Sequence, residues 1–70
     1  MDLLSLNEKI HEIGIPKTVI ADKIGISTQS LHLKLTGKRD FKMSEAKKLG
    51  EVLRLTNAEK TSIFFEEQVD

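Results

Sequence analysis

Thr28, Gln29, His32 and Leu33 are the side chains in this chain whose types and spacing could read another molecule atom by atom. A glutamine amide donates and accepts at once and can pair bidentately with adenine. Threonine and histidine can meet base or phosphate oxygens, and a leucine can lie against a thymine methyl. Cationic or hydroxyl groups suited to phosphate oxygens stand on either side, at Lys17, Ser27, Lys38 and Arg39. Catalytic chemistry has far less material. The two histidines, His11 and His32, fall on different predicted helices, and there is no cysteine, no Gly-rich phosphate loop and no H-E-x-x-H spacing. Ser27 and His32 are five apart on one helix, which does not align them as nucleophile and base. The expectation is a binding protein rather than an enzyme, with no metal, no cofactor and no small-molecule substrate.

The elements that must position those groups lie between Pro16 and Gly37. Ile20 and Ile24 are four apart before Gly25, Leu31 and Leu35 are four apart after it, and Ala21 is small enough for two helices to approach. This is the pattern of a helix-turn-helix. Gly25 can take the positive φ that closes the first helix, Ile26 can plug the apolar gap beneath the turn, and Ser27 can cap the second helix. At 100° per residue from Leu31, Ser27 and Leu35 lie within about 40°, whereas Thr28, Gln29, His32 and Leu33 spread over roughly 60° to 200°. The second group faces away from the core, with Leu33 as an exposed apolar residue among polar ones.

Three further helices are expected. Leu3, Leu6, Ile10 and Ile13 make one apolar face of a first helix, with a Ser5/Glu8 capping box if it does not start at Asp2, and Gly14 ends it. Pro16 suits the first turn of the next helix. After the basic loop Lys38-Arg39-Asp40 and the anchor Phe41, a fourth helix buries Ala46, Leu49, Gly50 and Leu53. Its mid-helix glycine points to a close helix crossing. Thr56-Asn57-Ala58-Glu59 is a capping box opening a fifth helix that carries Ile63, Phe64 and Phe65. At least one of those two rings should close the core. Three apolar residues in a row cannot all face inward, so Phe64 and Phe65, with Leu33, are candidates for a partner interface. The acidic tail 66–70 should fray. The helices are placed near 3–13, 16–24, 27–36, 43–54 and 57–66 of a single domain spanning 1–70.

The formal charge is zero, but its distribution is uneven. Residues 17–48 carry eight Lys or Arg against Asp22, Asp40 and Glu45, a net of +5, while the flanking segments are net −2 and −3. Such a chain can turn one basic face to a polyanion while its acidic ends limit indiscriminate association. Seventy residues suit one lean core. The absence of cysteine excludes a disulfide framework and suits a reducing compartment. No leader-like start and no apolar run near the roughly 18 residues of a membrane span are present. A cytoplasmic location without a membrane partner is expected.

Ala21-Asp22-Lys23-Ile24-Gly25-Ile26-Ser27, then Leu31, Leu35, Gly37 and Lys38, then Phe41, Glu45-Ala46, Leu49 and Leu53, together resemble the helix-turn-helix domain of the lambdoid repressor and Cro family. The likeness is to the small Cro-like regulators of temperate phages in Gram-positive bacteria, and it runs over about residues 3 to 65. The resemblance implies an all-α, five-helix lambda-repressor-like domain acting as a transcriptional regulator in the cytoplasm of a bacterial host. It implies a homodimer on palindromic double-stranded operator DNA. The family's phosphate contact at the start of helix 2 falls on Lys17, its base-reading positions on Thr28, Gln29 and His32 with Leu33 adjacent, and its loop contacts near Lys38 and Arg39. Two departures stand out. Pro16-Lys17 replaces the usual Ser or Thr cap followed by Gln, and the outward face of helix 3 has no Arg, the commonest reader of guanine. The alternative is an antirepressor or modulator on the same fold, which binds a partner repressor protein through its helix-turn-helix face.

Overall fold

The computed structural model describes residues 1–65, so the expectation for the tail 66–70 lies outside the described residues. Five helices follow one another: α1 (Leu3–Ile13), α2 (Lys17–Ile24), α3 (Thr28–Leu35), α4 (Met43–Val52) and α5 (Asn57–Lys60). The last continues into one wider π-helical turn, Thr61–Phe65. Among the described residues there is no strand, and the architecture is all-α as expected. No helix among them is long and apolar enough to cross a membrane.

One core collects the inward stripes of α1 to α4. Leu6 and Ile10 come from α1, Ile20, Ala21 and Ile24 from α2, Leu31 and Leu35 from α3, and Leu49 from α4. Leu53, Leu55 and Ile63 close it below, with Phe41 and Phe64 packed partly against it. Fully burying an aliphatic side chain of this size contributes about 1.5 to 3 kcal/mol, so this cluster is the main source of stability.

At the helices one open alternative is resolved and three expectations are corrected. Asp2, not Ser5, caps α1: its carboxylate accepts from the Ser5 amide at 3.1 Å and from the Ser5 hydroxyl at 2.7 Å, and these hydrogen bonds hold the Asp2 carboxyl below its usual range. Ile13 is 38% exposed rather than part of the core stripe, because α1 overshoots the core there and Ile15, beyond the Gly14 turn, packs in its place. Pro16 stands just before α2 as its cap position and offers no side-chain acceptor. Helix α4 stops at Val52, and Arg54 takes the left-handed conformation with φ 53°.

Three helix ends share one closing device. At α2 the Ile26 amide donates to the Ala21 carbonyl (3.0 Å) and the Gly25 amide to Asp22 (3.2 Å). At α3 the Lys38 amide donates to Leu33 (2.9 Å) and Gly37 to Lys34 (3.3 Å); at α4 Leu55 donates to Gly50 (3.0 Å) and Arg54 to Glu51 (3.1 Å). Each is a Schellman motif, which requires a left-handed residue after the helix. Gly25 (φ 81°) and Gly37 (φ 83°) supply it without steric cost; Arg54 supplies it against one.

What approaches Gly50 is a side chain, not a helix backbone. A Cβ on Gly50 would sit 3.1 Å from Cε of Lys60, whose aliphatic stem crosses α4 at that point.

Candidate nucleic-acid interface

Helix α3 begins where Ser27 caps it, its Oγ accepting from the Ser30 amide at 3.0 Å. Beneath the preceding turn, Ile26 is half-buried against the core and ties α2 to α3. Leu31 is fully buried and Leu35 nearly so, which fixes the rotation of α3 about its axis. That rotation leaves Thr28, Gln29 and His32 exposed, as expected. Leu33 differs: it is half-buried, not freely exposed, so only part of its side chain is offered to a partner.

The polar groups on this face are uncommitted. Side-chain hydrogen bonds around α3 run through Ser27, Lys34 and Thr36, whose Oγ donates back to the His32 and Leu33 carbonyls at 3.0 and 3.2 Å. Among the described residues, the side chains of Thr28, Gln29 and His32 make none. Exposed, unpaired hydrogen-bonding groups in a row on a rigid helix can exchange water for a partner at little reorganisation cost.

Lys17 is exposed as the first residue of α2, and Lys38 and Arg39 are exposed just past the end of α3. The loop that carries these last two is anchored at both ends. Its amides at Lys38 and Arg39 both donate to the Leu33 carbonyl, at 2.9 and 3.3 Å. The Asn7 side-chain amide, from α1, donates to the Leu35 carbonyl at 3.1 Å and so satisfies an orphan acceptor at the same helix end.

The strongest anchor is one that sequence patterning missed. Lys34 on α3 and Glu45 on α4 are both only 7% exposed and form a salt bridge. Glu45 also accepts from the Lys42 amide at 2.9 Å, at the start of α4. Burial pushes the Glu45 carboxyl up, but the hydrogen bonds from Lys34 and from the Lys42 amide outweigh it, and the group titrates below its usual range. One carboxylate therefore closes the loop 36–42 from both sides. An apolar stripe that runs past Leu31 and Leu35 could have flagged Lys34 as inward-facing; its partner, eleven residues on, has no local signal.

Pairing Lys34 with Glu45 leaves the surface charge of the middle segment unchanged. Lys17, Lys23, Lys38, Arg39, Lys42, Lys47 and Lys48 are all exposed against Asp22 and Asp40, still a net of +5.

The other candidate interface residues sit apart from α3 in sequence. Phe64 is half-buried against the core and Phe65 is 58% exposed, the two rings meeting edge to face with centroids 6.4 Å apart. Phe64 is thus the ring that helps to close the core, with Ile63 as the buried member of the trio.

Comparisons of the chain with protein-family models, with curated proteins and with solved structures return no match.

Proposed function

We propose that this chain is a sequence-specific DNA-binding transcriptional regulator of the phage repressor/Cro type, which inserts α3 into the major groove of its operator. The observation that carries the reading is the outward face of α3. Thr28, Gln29 and His32 are exposed and unpaired on a helix whose rotation the core fixes, and the chain carries exposed cations before them at Lys17 and after them at Lys38 and Arg39. An α-helix fits the major groove, and phosphate contacts on either side set its register while side chains read base edges. In this reading Lys17, Ser27, Lys38 and Arg39 meet phosphates, and Thr28, Gln29, His32 and Leu33 meet bases. The Ser27 hydroxyl, which accepts from Ser30, keeps its own proton to donate. The sequence resemblance to the lambdoid repressor and Cro family supports the same assignment.

One chain carries one such helix and measures 32 Å along its longest axis. Half-sites one turn apart are separated by about 34 Å, so a palindromic site takes two copies.

The test is selection of the purified protein against a randomised duplex library at near-physiological salt. Recovery of one shared site supports the reading. Retention only at low salt, with no shared sequence, refutes it and reduces the basic segment to general electrostatic attraction. Lys38→Ala should lower the slope of log K against log salt by about one unit on any DNA.

A second reading is an antirepressor that covers a partner repressor through the same face. The observation that favours it is the half-buried Leu33 in a stretch of α3 with no exposed Lys or Arg. Binding of a repressor by a chain that recovers no DNA site would select it.

A further inference from the structure

Resting on the DNA-binding reading, we propose that the half-site read by α3 is built of A·T pairs, recognised through adenine edges and thymine methyls rather than through guanine. The geometry that points there is the removal of the helix's one lysine. Lys34 is the sole Lys or Arg within α3, and it is buried in its ion pair with Glu45. Guanine is read chiefly by the bidentate fork of Arg or by Lys on its O6 and N7 atoms. No such side chain stands on the exposed face; the nearest, Lys38 and Arg39, lie beyond Gly37 in the loop that suits the backbone.

Of what remains on the face, Gln29, Thr28 and Leu33 match the A·T pair, and His32 can meet a base or phosphate oxygen. Gln29 offers an acceptor for the adenine N6 amino group and a donor for N7 together, which no other base satisfies in that order. Leu33 lies four residues on, about 40° round the helix and about 6 Å along it. Its exposed part therefore shares one outward strip of α3 with Gln29, where it can meet the thymine methyl of a neighbouring pair. Thr28 suits either base, and its methyl can add a second apolar contact. The exposed part of a half-buried leucine is a matched partner for a thymine methyl.

The experiment needs only the wild-type protein and chemically modified duplexes. The selected site is synthesised with deoxyuridine in place of individual thymines, which removes the methyl alone, and with 7-deazaadenine in place of individual adenines, which removes N7 alone. Expected are A·T pairs at the contacted positions, a loss of about four-fold for one thymine methyl, and a loss on the order of ten-fold for one adenine N7. Gln29→Ala should erase the second sensitivity while keeping the first. A half-site with G·C at the contacted positions, or modified duplexes that bind as well as the natural one, would overturn the inference and leave DNA reading intact. An A·T-rich site insensitive to both modifications would mean that groove shape is read, and would overturn it also. No shared site at physiological salt would remove the DNA reading and this inference together.

Discussion

Helix α3 and the seam between α1 and α5 use polar side chains in opposite ways. On the seam every named polar group is spent on holding. Thr56 Oγ accepts from the Glu59 amide at 3.1 Å, Glu59 accepts from the Thr56 amide at 3.0 Å, and Lys9 pairs with the same carboxylate at 2.9 Å. Nearby, the Asp2 amide donates to the Ile63 carbonyl at 2.7 Å, which ties the chain start to the π-helical turn. On the outer face of α3, Thr28, Gln29 and His32 hold nothing. Committed groups stabilise and resist exchange, whereas uncommitted ones on a rigid support are free to meet a partner. The contrast repeats within α3 itself: Lys34, one residue from Leu33, is wholly committed to Glu45.

Substitutions should separate the two kinds of group, from large effects on stability to none. Lys34→Ala leaves the buried Glu45 carboxylate without its cation and should cost about 2 to 4 kcal/mol in chemical denaturation. The double replacement Lys34→Met with Glu45→Gln keeps an acceptor for the Lys42 amide and should recover to within about 1 kcal/mol of wild type. A single variant as stable as wild type would show that the pair holds nothing. Gly25→Val forces a β-branched side chain into φ 81° and should cost about 1 to 3 kcal/mol. An unchanged thermal melt would contradict the role of that turn.

The holding seam also has a pH signature. The Thr56 amide and Lys9 draw the Glu59 carboxyl down from 4.5 to about 2. A carboxylate depressed on folding adds stability that is complete above its unfolded value and is lost as pH falls from about 4.5 toward 2. Glu45 and Asp2, also depressed, act in the same direction. Melting temperature should therefore fall between pH 5 and pH 2, and Glu59→Gln should flatten part of that fall; an identical pH profile in the variant would exclude the carboxylate as its source.

Smaller effects come next. Arg54→Gly relieves a left-handed residue but frees the unfolded chain, and should stabilise by about 0.5 kcal/mol, read as a modest rise in the denaturant midpoint. Last, Thr28→Ala, Gln29→Ala and His32→Ala combined should change stability by less than about 0.5 kcal/mol. A large loss would mean that the outer face is structural, and the contrast with the seam would fail.

What could be read from the chain alone divides along the same physical line. Ser27, Gly25, Gly37 and the Thr56/Glu59 box act over three or four residues, so their residue types announce them. The Asn7 bond to Leu35 spans 28 positions and Lys34 to Glu45 spans eleven, and nothing local says which residue each will meet. Arg54 escaped notice because left-handed turns are expected at glycine or asparagine, and here the buried Leu55 behind it holds the arginine in that conformation. Ile13 misled because periodicity says which face a residue shares, not how far along the helix the core extends. For α3 the exposure of Thr28, Gln29 and His32 was legible from the wheel, but the half-burial of Leu33 and the loss of Lys34 from the surface charge were not.

The most direct measurement is a backbone amide chemical-shift titration of the isotopically labelled protein with its selected duplex at near-physiological salt. The largest perturbations should fall on Lys17, on Thr28 to Leu33, and on Lys38 and Arg39, with Lys9, Glu59 and Thr56 left in place. Perturbations centred on the α1–α5 seam, with the outer face of α3 unmoved, would contradict the DNA-binding reading.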